Sequence, residues 1–283
     1  MEENKKLIVV PWDFTNVAEH ALAHAVKISR MVGNNICLLH IVDTGIKAAE
    51  ETDKKNKLQK IVEERSAKFN SVISWHISKG SIFSAIAEFA NDKEASLVVM
   101  GTHGMKGMQK LTGSWALKVI VKSKVPFIVV QDPPVDQEKY HNIVFPIDFR
   151  AENKEKLKMA IFMGKYFDSK IHLLVAISND KILTKKTKVN LNFGVKYLIQ
   201  NNIEYEIHDI PKGDFAKQTL DFALKINADL IVIVTTKNIT IADYVVGASE
   251  QYLIANSSKI PVCCVNPMTS FANVGQFMGG WGS

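Results

Sequence analysis

The sequence predicts an α/β protein made of two tandem domains, each a doubly wound parallel sheet of about five strands. Three observations carry this. Short runs that are apolar at successive positions, such as Leu7-Ile8-Val9-Val10 and Leu97-Val98-Val99-Met100, suit strands buried on both faces. Between them lie stretches with apolar residues at three- and four-residue spacing, the pattern of helices covering a sheet. The whole series occurs twice in 283 residues, a length that holds about two cores of ordinary size.

The first copy opens with Leu7 to Val10, which leads into Pro11-Trp12-Asp13-Phe14. The second opens with Ile143-Val144-Phe145 and then Pro146-Ile147-Asp148-Phe149, about 135 residues later. A helix follows each, marked by Ala18, Ala21, Leu22, Ala25 and Ile28 and by Leu157, Ala160, Ile161 and Gly164. Next come apolar runs over Ile36 to Val42 and Ile171 to Ile177, a lysine-rich stretch, and a short strand over Ser74 to Ile77 or Tyr205 to His208. Each copy then has a helix, a buried-type strand ending at Met100 or Ile233, and a final strand over Val125 to Val130 or Ile260 to Val265. The prolines of Asp132-Pro133-Pro134-Val135-Asp136-Gln137 stop the last strand of the first copy, which places the domains at 1–137 and 138–283. Phe271 to Ser283, rich in glycine and aromatics, lies outside the repeat.

Composition narrows the function. The net charge of +6 comes from lysines scattered among acidic residues, and the arginines suited to base and phosphate readout are only Arg30, Arg65 and Arg150. Specific nucleic-acid binding is therefore not expected. No apolar run reaches the roughly 18 residues of a membrane span, and Met1 to Lys6 runs straight into a strand, so a cytoplasmic protein is expected. Cys37, Cys263 and Cys264 are expected to be free thiols.

In a doubly wound sheet the ligand crevice lies beyond the carboxyl ends of the strands, so Pro11 to Phe14, His40 to Asp43 and Gly101 to Gly104 should converge. After Met100 the chain reads Gly101-Thr102-His103-Gly104-Met105-Lys106-Gly107-Met108-Gln109-Lys110-Leu111-Thr112-Gly113-Ser114. Glycines directly after a buried strand can turn the backbone and present N–H groups to an anion, while Gly113-Ser114 can open a helix whose amino end favours phosphate. The spacing is neither that of the usual P-loop nor that of the dinucleotide fingerprint. Bare turns use the same glycines, and spacing alone does not separate the two readings.

These residues resemble the universal stress protein family, over roughly 4–132 and 140–267. The resemblance implies a parallel fold of the adenine nucleotide α-hydrolase-like kind and, in the ATP-binding branch, a phosphate loop G-x2-G-x9-G-[S/T]. It places Gly101, Gly104, Gly113 and Ser114 on that loop, with Pro11 and Met100 flanking the site. Asp13 falls beside the ribose, and the backbone of Ile41 and Val42 at the adenine edge. Read alone, Asp13 is equally a turn or helix-cap aspartate. One departure stands out: eight residues separate Gly104 from Gly113, where the family usually has nine. In the second copy the first two glycine positions are Val234 and Lys237, so phosphate binding is expected to fail there.

Other constellations are weaker. His20 and His24 lack a third metal ligand and read as surface or interface histidines. His103 lies in the glycine loop without a chemical role, Lys106 or Lys110 could neutralise a γ-phosphate but read equally as solvated side chains, and no set of nucleophile, base and orienting group is present. The resulting expectation is a nucleotide-responsive stress module. It binds one ATP per chain, with Mg2+ able to bridge the phosphates, turns it over slowly if at all, and acts on a protein partner the sequence does not identify. The alternatives are an interaction scaffold without nucleotide and a slow nucleotide hydrolase. By resemblance the two domains should pack as a pseudo-dimer, with Phe127 to Val130 antiparallel beside Val262 to Val265; whole chains can pair further into a homodimer through other surfaces.

Overall fold

The computed structural model describes residues 5–102, 113–136, 138–154, 156–235 and 249–267. His103 to Thr112, Lys237 and the tail from Phe271 to Ser283 lie outside the described residues. The first half runs β1 (Leu7–Pro11), α1 (Asn16–Val32), β2 (Asn35–Val42), α2 (Ala48–Phe69), β3 (Ile73–Lys79), α3 (Ile82–Asp92), β4 (Leu97–Gly101), α4 (Gly113–Ile120) and β5 (Phe127–Val130). The second runs β6 (Asn142–Ile147), α5 (Leu157–Phe167), β7 (Lys170–Ala176), α6 (Lys181–Gln200), β8 (Tyr205–Ile210), α7 (Phe215–Lys225), β9 (Leu230–Val234), α8 (Ser249–Ile254) and β10 (Val262–Val265).

All ten strands join in one sheet of order β3-β2-β1-β4-β5-β10-β9-β6-β7-β8. Each half is parallel throughout, and the halves meet where β5 and β10 pair antiparallel, with Val129 opposite Val262 and Phe127 opposite Cys264. The sequence expectation for this seam is met. The strands are apolar on both faces because helices cover both. One layer holds Ile128, Val130, Cys263 and Val265 with α1 and α5, and the other holds Phe127, Val129, Val262 and Cys264 with residues of α4, α7 and α8. Each layer runs through both halves, so the seam is as well buried as either half's interior. Cys37, Cys263 and Cys264 are free and buried, and burial pushes the Cys37 thiol up to about 11.

Polar groups close the seam with an approximate two-fold symmetry. Gln131, just after β5, donates to the Asn256 carbonyl at 2.8 Å. Asn266, just after β10, donates to the Val121 carbonyl at 2.8 Å. The segment between the halves is not a loose tether, because the buried His24 of α1 meets the Tyr140 hydroxyl at 2.7 Å and Lys27 donates to the Asp136 carbonyl at 2.8 Å. His20 reaches the Gln131 carbonyl at 2.8 Å, so both α1 histidines serve this contact.

Candidate functional site

Strand order reverses between β1 and β4, so the chain leaves their carboxyl ends in opposite directions and opens a crevice. Pro11, Trp12, Asp13, His40, Ile41, Met100 and Gly101 line a narrow cleft of about 60 Å3 there, walled by Val17, Ala18, Ile82 and Ile86. His40, Ile41 and Ile82 also border a wide depression of about 1000 Å3 that runs over Val42 to Lys47, Lys54 and Gly80.

The backbone explains why these residues converge. Asp13 Oδ1 accepts from the Thr15 amide at 3.1 Å and the Thr15 hydroxyl at 2.5 Å, which turns the chain from β1 into α1. The turn is tight enough to hold Phe14 at φ 66°, a left-handed conformation unusual for an aromatic residue. Asp13 therefore serves the turn with one oxygen, and it lines the cleft while exposed to solvent. His40 is buried against the Trp12 carbonyl at 2.7 Å, and burial holds its imidazole below the usual range. Trp12 itself is 3% exposed, and its Nε1 has no hydrogen-bond partner among the described residues.

Ile41 and Val42 differ. Along β2 the polar groups of alternate residues point to opposite neighbours. Leu39 accepts from the Trp12 amide on the β1 side at 2.8 Å, whereas Val42 accepts from the Gly80 amide on the β3 side at 2.9 Å. Ile41 shares the direction of Leu39 and presents its N–H and C=O past the end of β1, into the crevice. Val42 keeps its carbonyl in the ladder to β3 and borders only the outer depression.

Gly101 has a packing reason for lacking a side chain: a Cβ there would lie 2.4 Å from the Val17 carbonyl oxygen of α1. Met100 is buried beside it. Gly113 is the first residue of α4 and Ser114 the second. Gly104 lies outside the described residues.

The matching crevice of the second half, about 350 Å3, is built differently. Asp148 Oδ2 accepts from Arg150 Nε at 2.8 Å, and Arg150 Nη1 reaches the buried Glu250 at 2.9 Å. Lys156 is 1% exposed and donates to the Pro146 carbonyl, and burial pushes its amine down to about 7. Sequence reading passed over this ionic cluster. The signal was available, because at the repeat offset Arg150 stands where the first half has Thr15, and Lys156 where it has the fully buried Ala21.

Comparison with known proteins agrees with this architecture. A model described as the universal stress protein family matches residues 5–131. A universal stress protein of Methanocaldococcus jannaschii is 30% identical over 145 residues, spanning 45% of this chain and 83% of that protein. This chain belongs to the universal stress protein family. A second universal stress protein of that organism is 26% identical over 153 residues, covering 44% of this chain and 94% of its own. Among solved structures, a universal stress protein from Archaeoglobus fulgidus superposes with a TM-score of 0.75 at 17% identity, covering 94% of this chain and 100% of that one. That likeness extends the family fold across both halves. Among the described residues, no helix is long and apolar enough to cross a membrane.

Proposed function

We propose that the protein binds one adenine nucleotide per chain in the crevice of the first half and acts as a nucleotide-responsive stress module of the cytoplasm, its domains dividing at 137/138. The observation that carries this reading is the convergence of Pro11, Asp13, Ile41, Met100 and Gly101 at the point where strand order reverses. The apolar walls suit a base. The outward N–H and C=O of Ile41 suit its edge, the second oxygen of Asp13 suits a ribose hydroxyl, and Trp12, whose buried Nε1 lacks a partner among the described residues, lines the same cleft. Phosphates would extend toward Gly104, Gly113 and Ser114, where the amino end of α4 favours negative charge. Mg2+ needs few protein ligands when it bridges phosphates.

The second half supports a single site, since Arg150 pairs with Asp148, the counterpart of Asp13, and links it to Glu250. Bound ATP would turn over slowly, because the described residues set no group of nucleophile, base and orienting side chain beside the phosphate side of the crevice. Isothermal titration with ATP and Mg2+ is expected to give one site per chain, weakened about tenfold or more by Asp13→Ala and abolished by Gly104→Lys. Two equivalent sites, or unchanged affinity in Gly104→Lys, would overturn the reading in favour of a scaffold without nucleotide or a differently placed site.

A further inference from the structure

At the far end of the second half's sheet, away from the crevice, three side chains converge that neither the family nor the nucleotide reading uses. His172 lies on β7, and Glu206 and His208 lie on β8, the edge strand. Register explains the meeting: His172 is paired with Glu206, and His208, two residues on, points to the same face. His172 Nδ1 is 3.1 Å from His208 Nε2 and 3.9 Å from Glu206 Oε2, and His208 Nε2 is 3.8 Å from that oxygen. We infer that His172, Glu206 and His208 form a binding site for a zinc-class divalent transition-metal ion.

Two nitrogens and one carboxylate oxygen are the donor set that zinc accepts in three-ligand sites, with water as the fourth ligand. Tetrahedral zinc with bonds of about 2.0 to 2.1 Å holds its donor atoms about 3.3 Å apart, and the observed separations of 3.1 to 3.9 Å bracket that value. Groups that orient these ligands are in place as well. His172 Nε2 donates to Asn142 Oδ1 at 3.1 Å, which fixes the tautomer and leaves the Nδ1 lone pair facing the other two ligands. Phe222 packs on the His208 ring at 4.6 Å and fixes its plane. Exposure of Glu206 gives an ion a path from solvent. Lys170 sits on Glu206 at 3.0 Å but also on Glu204 at 3.4 Å, so it keeps a partner when Glu206 turns to a metal.

The comparison between halves argues that the set is particular to this half. Cys37 and Ser74 are paired in the first half as His172 and Glu206 are in the second, and His76 packs on Phe89 at 4.7 Å as His208 does on Phe222. The ring at the edge strand is common to both, whereas the second imidazole and the carboxylate occur only in the second half.

The test uses the full chain stripped with a chelator and loaded with Co2+ or Zn2+ alone. One Co2+ per chain with the intense visible bands of tetrahedral coordination, displaced by Zn2+, is the expected result. The double variant Glu206→Gln, His208→Gln should lose those bands and weaken Zn2+ retention in equilibrium dialysis by at least tenfold, while His76→Gln changes neither. Asn142→Ala should weaken Zn2+ about tenfold through His172. Circular dichroism of the metal-free double variant should match the parent, which separates a lost site from a lost fold. Absence of stoichiometric binding, or binding that survives the double variant, overturns the assignment.

Discussion

Gly101 shows how one residue can satisfy two demands. The sequence marks it as part of a phosphate loop, and the structure adds that the first turn of α1 passes too close for any side chain, 2.4 Å from a Cβ to the Val17 carbonyl. Because the obstacle is backbone, relief requires moving α1 from β4. Gly101→Ala is expected to cost about 1 to 3 kcal/mol, as overpacked core sites do, measured by denaturant unfolding, whether or not nucleotide is present. Lys156 is the opposite case, a charge at a position the repeat marks as core. Burial holds its amine at about 7 in the folded chain, well below the ordinary lysine value of 10.5, so between those limits the unfolded chain holds more protons and stability rises with pH. Below about 7 the cost of the buried charge is fully present. Lys156→Met is therefore expected to be more stable than the parent at pH 6, with the gap closing toward pH 10.5, in paired thermal melts. Asp13 and Gly101 were legible from motif, but Arg150, Lys156 and Glu250 were not, because charged residues in sequence look solvated until the fold buries them.

At the scale of elements, the strands and most of the helices that cover them were legible because their buried faces are apolar. Two long helices were visible only as lysine-rich stretches. In α2 only Leu58 and Val62 are buried over 22 residues, and pairs such as Glu51 with Lys55 at 2.8 Å and Asp53 with Lys57 at 2.9 Å dress its exposed surface. The buried face of α6 is Thr187, Asn190, Gly194 and Leu198, a helical spacing with almost no hydrophobic signal. Asn190 is there to donate to the carbonyls of Asp148 and Arg150, at 2.8 Å each, so a polar residue satisfies the turn beneath it. The docking of α1 on the inter-domain segment was equally hidden, since it depends on His24 meeting Tyr140. Burial pushes His24 down to about 3, so the imidazole is neutral at pH 7 and its Nδ1 has the Tyr140 hydroxyl as partner. Tyr140→Phe is expected to cost about 1 to 3 kcal/mol by leaving that nitrogen buried and less well satisfied. A chemical-denaturation midpoint unchanged within error would show that the contact does not anchor the segment.

For the whole molecule, the seam decides whether the chain is one body or two. Pro126 and Val130 accept from β4, through the amides of Val98 at 3.0 Å and Thr102 at 2.9 Å, so the alternate residues Phe127 and Val129 turn their backbone groups to β10. The second half mirrors this: Pro261 and Val265 accept from β9 at 3.0 Å, leaving Val262 and Cys264 for β5. A proline at Val129 thus removes a donor aimed across the seam while sparing those aimed at β4. A charge at Ile128 is a poorer probe, because that side chain is 0% exposed in the layer shared with α1 and would disturb the first half itself. In the full chain Val129→Pro is expected to lower stability by about 3 kcal/mol or more, and unfolding should split into two transitions as the halves uncouple. Residues 1–137 expressed alone would expose β5 as an apolar edge with unpaired backbone groups, which favours pairing with a second copy. Analytical ultracentrifugation should then find a dimer that Val129→Pro returns to monomer. A parent fragment that stays monomeric at high micromolar concentration, together with a single unchanged transition in the full-length variant, would mean that side-chain packing across the two shared layers, not strand pairing, holds the halves together.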